Sequence, residues 1–167
     1  MSTRFRSATA GCSENPPSDA TPLTSEQVSS LAGKFRVTQI TTSFASEPAV
    51  SELELLVADS VTRARASERR LGHSPRRDLR LTGTWRWNRD QRAEPAEWDG
   101  DTLFLGCRDC LDGSPERLRV RAIAPAQLWG SWVDYQIGIV RVFDRNGKEL
   151  PNPAGYFCAT RISGNDR

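Results

Sequence analysis

The chain has 167 residues, enough for one domain with a substantial core and a tail. Its 23 basic and 21 acidic residues nearly balance, which excludes a molecule whose overall charge would bind nucleic acid or an acidic membrane. Hydrophobic residues make up 37% of the chain, and no apolar run approaches the roughly 20 residues that a membrane-spanning helix needs.

The first 23 residues differ in composition from the rest. The segment 13–25 consists largely of Ser, Thr, Pro and acidic residues, which bury too little apolar surface to offset the entropy of ordering. We therefore predict that residues 1–23 form a disordered tail or tether.

A short motif inside this tail carries a resemblance of its own. Ala8-Thr-Ala-Gly11-Cys12 resembles the end of a bacterial lipoprotein signal, in which the cysteine is lipidated and becomes the mature N-terminus. The resemblance implies lipidation of Cys12, a membrane tether and a place in the cell envelope. Residues 1–7 contain no apolar stretch, so we expect either a truncated or mis-assigned signal or, as the alternative, an ordinary disordered tail.

The folded domain is predicted over residues 24–163, with 164–167 as a C-terminal tail. Thr24-Ser-Glu-Gln27 has the spacing of a capping box, which predicts a short helical turn through Ser30. After it, apolar residues alternate with polar ones, and this period of two predicts about eight strands. They lie at 34–40, 52–58, 79–87, around 103–105, and at 117–122, 129–135, 136–143 and 156–162.

One pattern recurs at three of these places: a leucine, a glycine and a large aromatic residue, each two positions apart. It occurs at 31–35, 81–85 and 128–132, ending in Phe35, Trp85 and Trp132. Residues two apart share one face of a strand, and a glycine between them leaves room for a bulky neighbour or a bend. The repeats therefore indicate curved strands rich in aromatic side chains.

The connections favour a meander. Gly113 and Gly147 lie in turn-like segments between predicted strands, and short hairpin turns make neighbouring strands antiparallel. No long amphipathic helix separates the strands, which argues against a parallel sheet. We therefore predict an all-β fold, a single antiparallel up-and-down barrel of about eight strands, with a β-sandwich as the alternative.

Two charged stretches are expected to be solvated. Residues 61–80 contain seven arginines and His73 but no aromatic residue to stack a base, so a solvated loop, with room for a helical turn at 65–70, is favoured over an RNA- or anion-binding one. The acidic pairs Glu94/Glu97 and Asp99/Asp101 fall in a turn-rich stretch, 88–101.

Catalytic signatures are sparse. His73 is the single histidine, so any Ser-His-Asp or Cys-His arrangement would depend on it. The chain has neither a Gly-x-Ser-x-Gly elbow nor a phosphate-binding glycine loop. We expect a protein without enzymatic activity, cofactor or metal.

The cysteines predict a structural disulfide. Cys107-Arg-Asp-Cys110 lacks the second C-x-x-C that a zinc ribbon would need. Either cysteine could pair with Cys158, or the two could pair with each other. If Cys12 carries no lipid, four cysteines allow three pairings, among which the sequence does not choose. A disulfide would indicate an oxidising compartment.

Part of the pattern resembles the calycins, the lipocalins, avidins and their relatives. Gly33-Lys-Phe35 resembles the Gly-x-Trp of their first strand, and Arg161 resembles the arginine that lipocalins place over that aromatic ring. The helical turn before the first strand also fits. Leu81-Thr-Gly83-Thr-Trp85 is similar to the opening of avidin-type sequences but lies mid-chain, so their ligand residues are not transferred. The resemblance implies an eight-stranded barrel with a ligand cup at its open end.

Two functions follow as expectations. The first is a non-enzymatic cell-envelope barrel that binds a small hydrophobic or aromatic ligand. The residues expected to bind it are Trp85, Trp87, Trp129, Trp132 and Tyr135. In an extended strand Trp129 and Trp132 point to opposite faces, so at most one of them faces the interior. The second is a surface module that docks an acidic partner through outer rows of arginine, at 80, 86, 117, 119 and 121.

Overall fold

Eight antiparallel strands close into a barrel in the computed structural model, which describes residues 12–67, 78–86, 93–106, 116–134, 143–149 and 153–162. The barrel strands are β2 (Gly33–Thr41), β3 (Ala49–Val57), β4 (Leu79–Arg86), β5 (Glu94–Asp99), β6 (Thr102–Leu105), β7 (Glu116–Ala124), β8 (Gln127–Asp134) and β9 (Ala154–Arg161). Each of them pairs with its neighbours in the chain, and β9 returns to pair with β2. A ninth, two-residue strand, β1 (Thr21–Pro22), lies outside this ring and pairs with β7. The predicted all-β up-and-down barrel is thus confirmed, and the sandwich is not adopted.

Two helical segments accompany the strands. A 3-10 helix spans Ser25–Leu31, where the capping box predicted a helical turn, and the Gln27 side chain accepts a hydrogen bond from Thr24 N at 3.0 Å. Helix α1 spans Ser60–Ser67, at the start of the arginine-rich stretch that we expected to be a loop. His73 lies outside the described residues.

Strand β5 corrects the prediction of a solvated, turn-rich stretch at 88–101. It pairs with β4 and β6, and its Trp98 is fully buried opposite Leu81 and Leu103. Its sequence gives only two inward apolar residues, Ala96 and Trp98, among acidic ones, so the alternation is too short to detect. The strand predicted at 136–143 falls largely outside the described residues.

The three leucine–glycine–aromatic repeats line the barrel interior. Their leucines and aromatic residues all belong to one buried core cluster. The glycines are needed because neighbouring backbone comes close: a Cβ on Gly83 would lie 1.7 Å from the Glu54 carbonyl oxygen, and one on Gly130 would lie 1.9 Å from that of Arg119. A side chain at either position would push two paired strands apart.

The end of the barrel at the start of β2 is closed by the 3-10 helix, whose Val28 and Leu31 are buried in the core. Here Arg161 lies where the family resemblance implied, with its guanidinium 4.8 Å from the centre of the Phe35 ring. Arg161 also donates hydrogen bonds to the carbonyl oxygens of Ala32 at 2.8 Å and Ser30 at 3.4 Å. One side chain thus ties the last strand to the helix and to the first barrel strand.

We expect Arg161→Lys to lower the free energy of unfolding by about 1–2 kcal/mol, because a lysine has no planar fork to stack on Phe35 and bind two carbonyls. Urea denaturation followed by circular dichroism measures this. Arg36→Lys, on the exposed outer face of β2, is the matched control and should change stability by less than about 0.5 kcal/mol. Equal losses in both variants would contradict the assigned role of Arg161.

Candidate functional site

The barrel interior is polar at the end opposite the 3-10 helix, which we call the polar end. Three polar side chains are buried there: Gln39 near the end of β2, Ser51 near the start of β3 and Glu116 at the start of β7. Asp134, at the end of β8, is half-buried. Because successive strands run in opposite directions, these positions meet at one rim of the barrel. All four continue the inward-facing alternation of their strands.

The four side chains form an incompletely bonded cluster. Gln39 Nε2 donates a hydrogen bond to Glu116 Oε2 at 2.7 Å, and Glu116 and Asp134 face each other across β7 and β8. Gln39 Oε1, Ser51 Oγ and Asp134 Oδ1 are buried and have no hydrogen-bond partner within the described part of the chain. Buried polar atoms are normally paired, so three unpaired acceptors at one rim require an explanation.

Burial changes the acidity of both carboxyl groups. It raises the pKa of Glu116 to about 7, an effect that the neighbouring Asp134 carboxylate increases and the hydrogen bond from Gln39 opposes. Burial also raises the pKa of Asp134. At neutral pH, Glu116 therefore exchanges readily between its protonated and charged forms.

Two of the predicted ligand residues flank this cluster. Trp85 and Trp132 are inward-facing and almost fully buried, with 4% and 7% of their surfaces exposed. They belong to β4 and β8, four strands apart in a ring of eight, so they occupy opposite walls of the barrel. The Trp132 indole is fixed by a hydrogen bond that its Nε1 donates to the Ile40 carbonyl oxygen at 3.1 Å.

Trp129 does not belong to the interior, which corrects its assignment as a ligand residue. Its cross-strand partners are Cys158 on β9 and Ala122 on β7, on the outer face of the wall, whereas Leu128 and Trp132 on the same strand face inward. The alternation predicted that Trp129 and Trp132 would face opposite sides. Trp87 and Tyr135, the other predicted ligand residues, lie outside the described residues.

Trp129 is nevertheless buried, because residues 12–23, the N-terminal strap, cross the outer wall over it. A disulfide joins Cys12 to Cys158, and β1 pairs with Ile123 and Ala122 on β7. The strap is therefore attached on both sides of β8. Residues 12–23, expected to be part of a disordered tail, thus lie against the barrel.

The predicted structural disulfide is present, and it joins Cys158 to Cys12, a pairing that the sequence left open. Cys107 and Cys110, the other candidates, lie outside the described residues. Thioether lipidation would need the same sulfur, so the disulfide and the predicted lipid on Cys12 exclude each other. In this structure Cys12 is a cross-link and not a lipid anchor.

The predicted rows of arginine do lie on the outer wall, but acidic and aromatic groups accompany them. The Arg117 guanidinium lies 5.4 Å from the centre of the Phe104 ring, and Arg119 lies 3.7 Å from the Asp101 carboxylate. Arg80 pairs with Asp78 at 2.8 Å. Arg86 stands opposite Glu52 in the register. The wall therefore carries charges of both signs.

A cleft of about 330 Å³ at the closed end is a weaker candidate site. It lies between the 3-10 helix and the β7–β8 turn, and Asp19 and Arg161 are the charged residues of its lining. That guanidinium already binds two carbonyl oxygens and the Phe35 ring. The inward-facing polar atoms without a described partner lie at the polar end instead.

Comparison with family models, with curated proteins and with solved structures gave no match for this chain. Of the helices that the structure describes, none has the length and hydrophobicity to cross a bilayer. Within the described residues, no three histidine, cysteine or acidic side chains are grouped so that they could hold a metal ion.

The polar cluster was missed by the sequence reasoning, although a signal for it was present. Extending the alternation by one inward position reaches Gln39 beyond Val37, Ser51 before Leu53, and Glu116 before Leu118. Asp134 follows Trp132 in the same way. Polar residues at the end of an inward apolar face show where the barrel interior changes from apolar to polar. A search for apolar residues alone overlooks this pattern.

Proposed function

We propose that this protein is a non-enzymatic barrel that binds a small aromatic ligand at the polar end, between the indoles of Trp85 and Trp132. The observation that carries the proposal is the group of buried, unpaired acceptors on Gln39, Ser51 and Asp134 at the same rim as these two rings. Apolar walls with a few polar groups that fix orientation are the usual composition of a small-molecule site.

The relation to calycins is part of this proposal. It is supported by the 3-10 helix before the first barrel strand, by the Gly33-Lys-Phe35 segment and by Arg161 over the Phe35 ring. The resemblance implies a ligand cup at the open end of the barrel. The polar end lies opposite the end that the 3-10 helix closes.

We also propose that the protein works outside the cytoplasm, in the cell envelope. The disulfide between Cys12 and Cys158 supports an oxidising compartment, because such bonds persist there and are rare in the cytosol. Because Cys12 is used in that bond, the proposal includes no lipid on this residue.

A screen of small aromatic compounds by isothermal titration calorimetry tests the binding proposal. We expect saturable binding of one ligand per chain, and Trp85→Phe and Trp132→Phe should each weaken it about two- to tenfold, since each loses part of an aromatic contact. Trp129→Phe, on the outer wall, is the matched control and should leave the affinity unchanged. Failure of every compound to bind, or equal weakening by Trp129→Phe, would refute the proposal.

The alternative proposal is a surface module that docks an acidic partner through β7. It is favoured by the outward position of Arg117 and Arg119 in the register, and opposed by the aromatic and acidic groups already beside them. Salt distinguishes the two proposals: association through exposed arginines weakens steeply as ionic strength rises, whereas binding dominated by aromatic contact does not.

A further inference from the structure

We infer that the ligand is an aromatic ammonium ion, whose aromatic part lies between Trp85 and Trp132 and whose charged nitrogen is bound by Glu116 and Asp134. This inference rests on the proposed function and names the chemical class of its ligand. It goes beyond the apolar ligand that the sequence predicted, because it assigns a charge and a hydrogen-bonding role to the bound molecule.

The first argument is the balance of donors and acceptors. Gln39 uses its amide nitrogen on Glu116, which leaves its carbonyl oxygen unpaired, and Asp134 Oδ1 is also unpaired. Ser51 Oγ is a third buried atom without a described partner, and as a hydroxyl it can accept a hydrogen bond or donate one. A ligand that offers several N–H donors from one centre would satisfy them, as an ammonium group does.

The second argument is charge. Glu94 is the cross-strand partner of the inward-facing Trp85, so its position also faces the barrel interior. With Glu116 and Asp134, it is the third inward-facing acidic residue at this rim. The described arginines on the strands near this rim face outward instead, at positions 36, 86 and 117. A cation would be attracted to this rim, and a carboxylate ligand would be repelled.

The third argument separates an organic cation from a metal ion. The described carboxylates are not grouped closely enough to hold a metal. The polar end instead has two indoles on opposite walls of the barrel. Aromatic faces attract ammonium groups and pack against flat rings. The site therefore fits a cation that carries its own apolar surface.

Proton exchange adds a pH dependence. Burial and the neighbouring Asp134 raise the pKa of Glu116 to about 7, so part of the protein carries a neutral Glu116 at neutral pH. The described groups that face Glu116 are Gln39 on β2 and Asp134 on β8, with Glu94 on β5 at the same rim. An ammonium ion favours the charged carboxylate, so binding displaces a proton and strengthens as pH rises.

The test uses matched triads of compounds built on benzene, naphthalene and indole rings, in which the side chain ends in an amine, an alcohol or a carboxylate. Affinities are measured by isothermal titration calorimetry at pH 6 and pH 8. We expect the amine to bind at least tenfold more tightly than the alcohol of the same triad, and the carboxylate to bind most weakly. Only the amine should bind several-fold more weakly at pH 6 than at pH 8.

Two carboxylate variants complete the test. Glu116→Gln and Asp134→Asn should each reduce the affinity for the amine at least tenfold at pH 8 and leave that for the alcohol within about twofold. Glu52→Gln, an exposed outward-facing carboxylate on β3, is the matched control and should change neither.

The outcomes separate the two proposals. If no compound of any triad binds, the proposed function itself fails. If compounds bind but the alcohol or the carboxylate matches the amine, the ligand class is wrong while the binding function stands. Loss of amine binding in Glu52→Gln equal to that in Glu116→Gln would likewise overturn the role of the polar end.

Discussion

Removing the disulfide is expected to lower the free energy of unfolding by about 4 kcal/mol. The bond joins Cys12 to Cys158 across 146 positions of the sequence, almost the whole chain. In the chain-entropy description, closing a loop of this length stabilises the folded state by about 5 kcal/mol, and measured values for native disulfides are typically about 2–4 kcal/mol. This is a large share of the stability of an ordinary domain.

Urea denaturation of the oxidised protein, the reduced protein and the Cys12→Ala variant measures the effect. Reduction and Cys12→Ala should lower stability equally, and reduction should cause little further loss in the variant. Cys107→Ala with Cys110→Ala is the control, because these cysteines are not part of the cross-link. The assignment would be wrong if that double variant lost as much stability as Cys12→Ala.

The fluorescence of Trp129 reports locally on the loss of the disulfide. Trp129 lies on the outer wall beneath the N-terminal strap, with 4% of its surface exposed and with the disulfide at its cross-strand neighbour. When the bond is broken below the unfolding transition, the strap should detach and the tryptophan emission should shift to longer wavelength. Trp129→Phe should abolish the shift, whereas a shift that persists in this variant would show that the change occurs elsewhere.

Much of the barrel could be predicted from the sequence because its strands alternate cleanly. Phe35 and Val37 on β2, and Leu81 and Trp85 on β4, follow a period of two over several residues, and all four face the core. The contact between Arg161 and Phe35 was available only through the family resemblance, since no local pattern joins residues 126 positions apart. The structure contains it.

The remaining elements depend on contacts that are distant in the chain. Strand β5 has a proline and three acidic residues in six positions, and it is held in place by pairing with β4 and β6 on both sides. A covalent bond and a two-residue strand attach the strap to the barrel. Because neither attachment depends on a hydrophobic pattern, the strap could not be recognised from its sequence. The choice of Cys12 as the partner of Cys158 follows from the path of the strap over β8, which composition does not reveal.

The candidate site was half predictable. Trp85 and Trp132 were identified because large aromatic residues beside glycines suit a barrel interior. Glu116 was not, since an acidic residue that starts a strand resembles an exposed end; only the closure of the ring places it opposite Gln39, 77 positions away. Long-range closure, rather than any local signal, creates the polar end.

Glu116→Gln is expected to stabilise the unliganded protein at high pH by up to about 3 kcal/mol. The pKa of this carboxyl group is raised from 4.5 to about 7 on folding, chiefly by burial. The folded state therefore binds more protons than the unfolded state between these values, so stability falls as pH rises through this window and stays low above it. The shift corresponds to about 3 kcal/mol, which a neutral amide would avoid.

Thermal and urea unfolding of both proteins at pH 4, 6 and 8 measures this difference. The two should be similar at pH 4, where the glutamate is mostly protonated in either state, and should diverge as the pH rises, with the variant the more stable at pH 8. The amide oxygen can still accept the hydrogen bond from Gln39 Nε2, so the fold should be retained. Glu52→Gln should show no such divergence, because its side chain is exposed. A Glu116→Gln variant less stable than the native protein at pH 8 would mean that the carboxylate is compensated in the folded state, and the polar end would then have no unmet need for a cation.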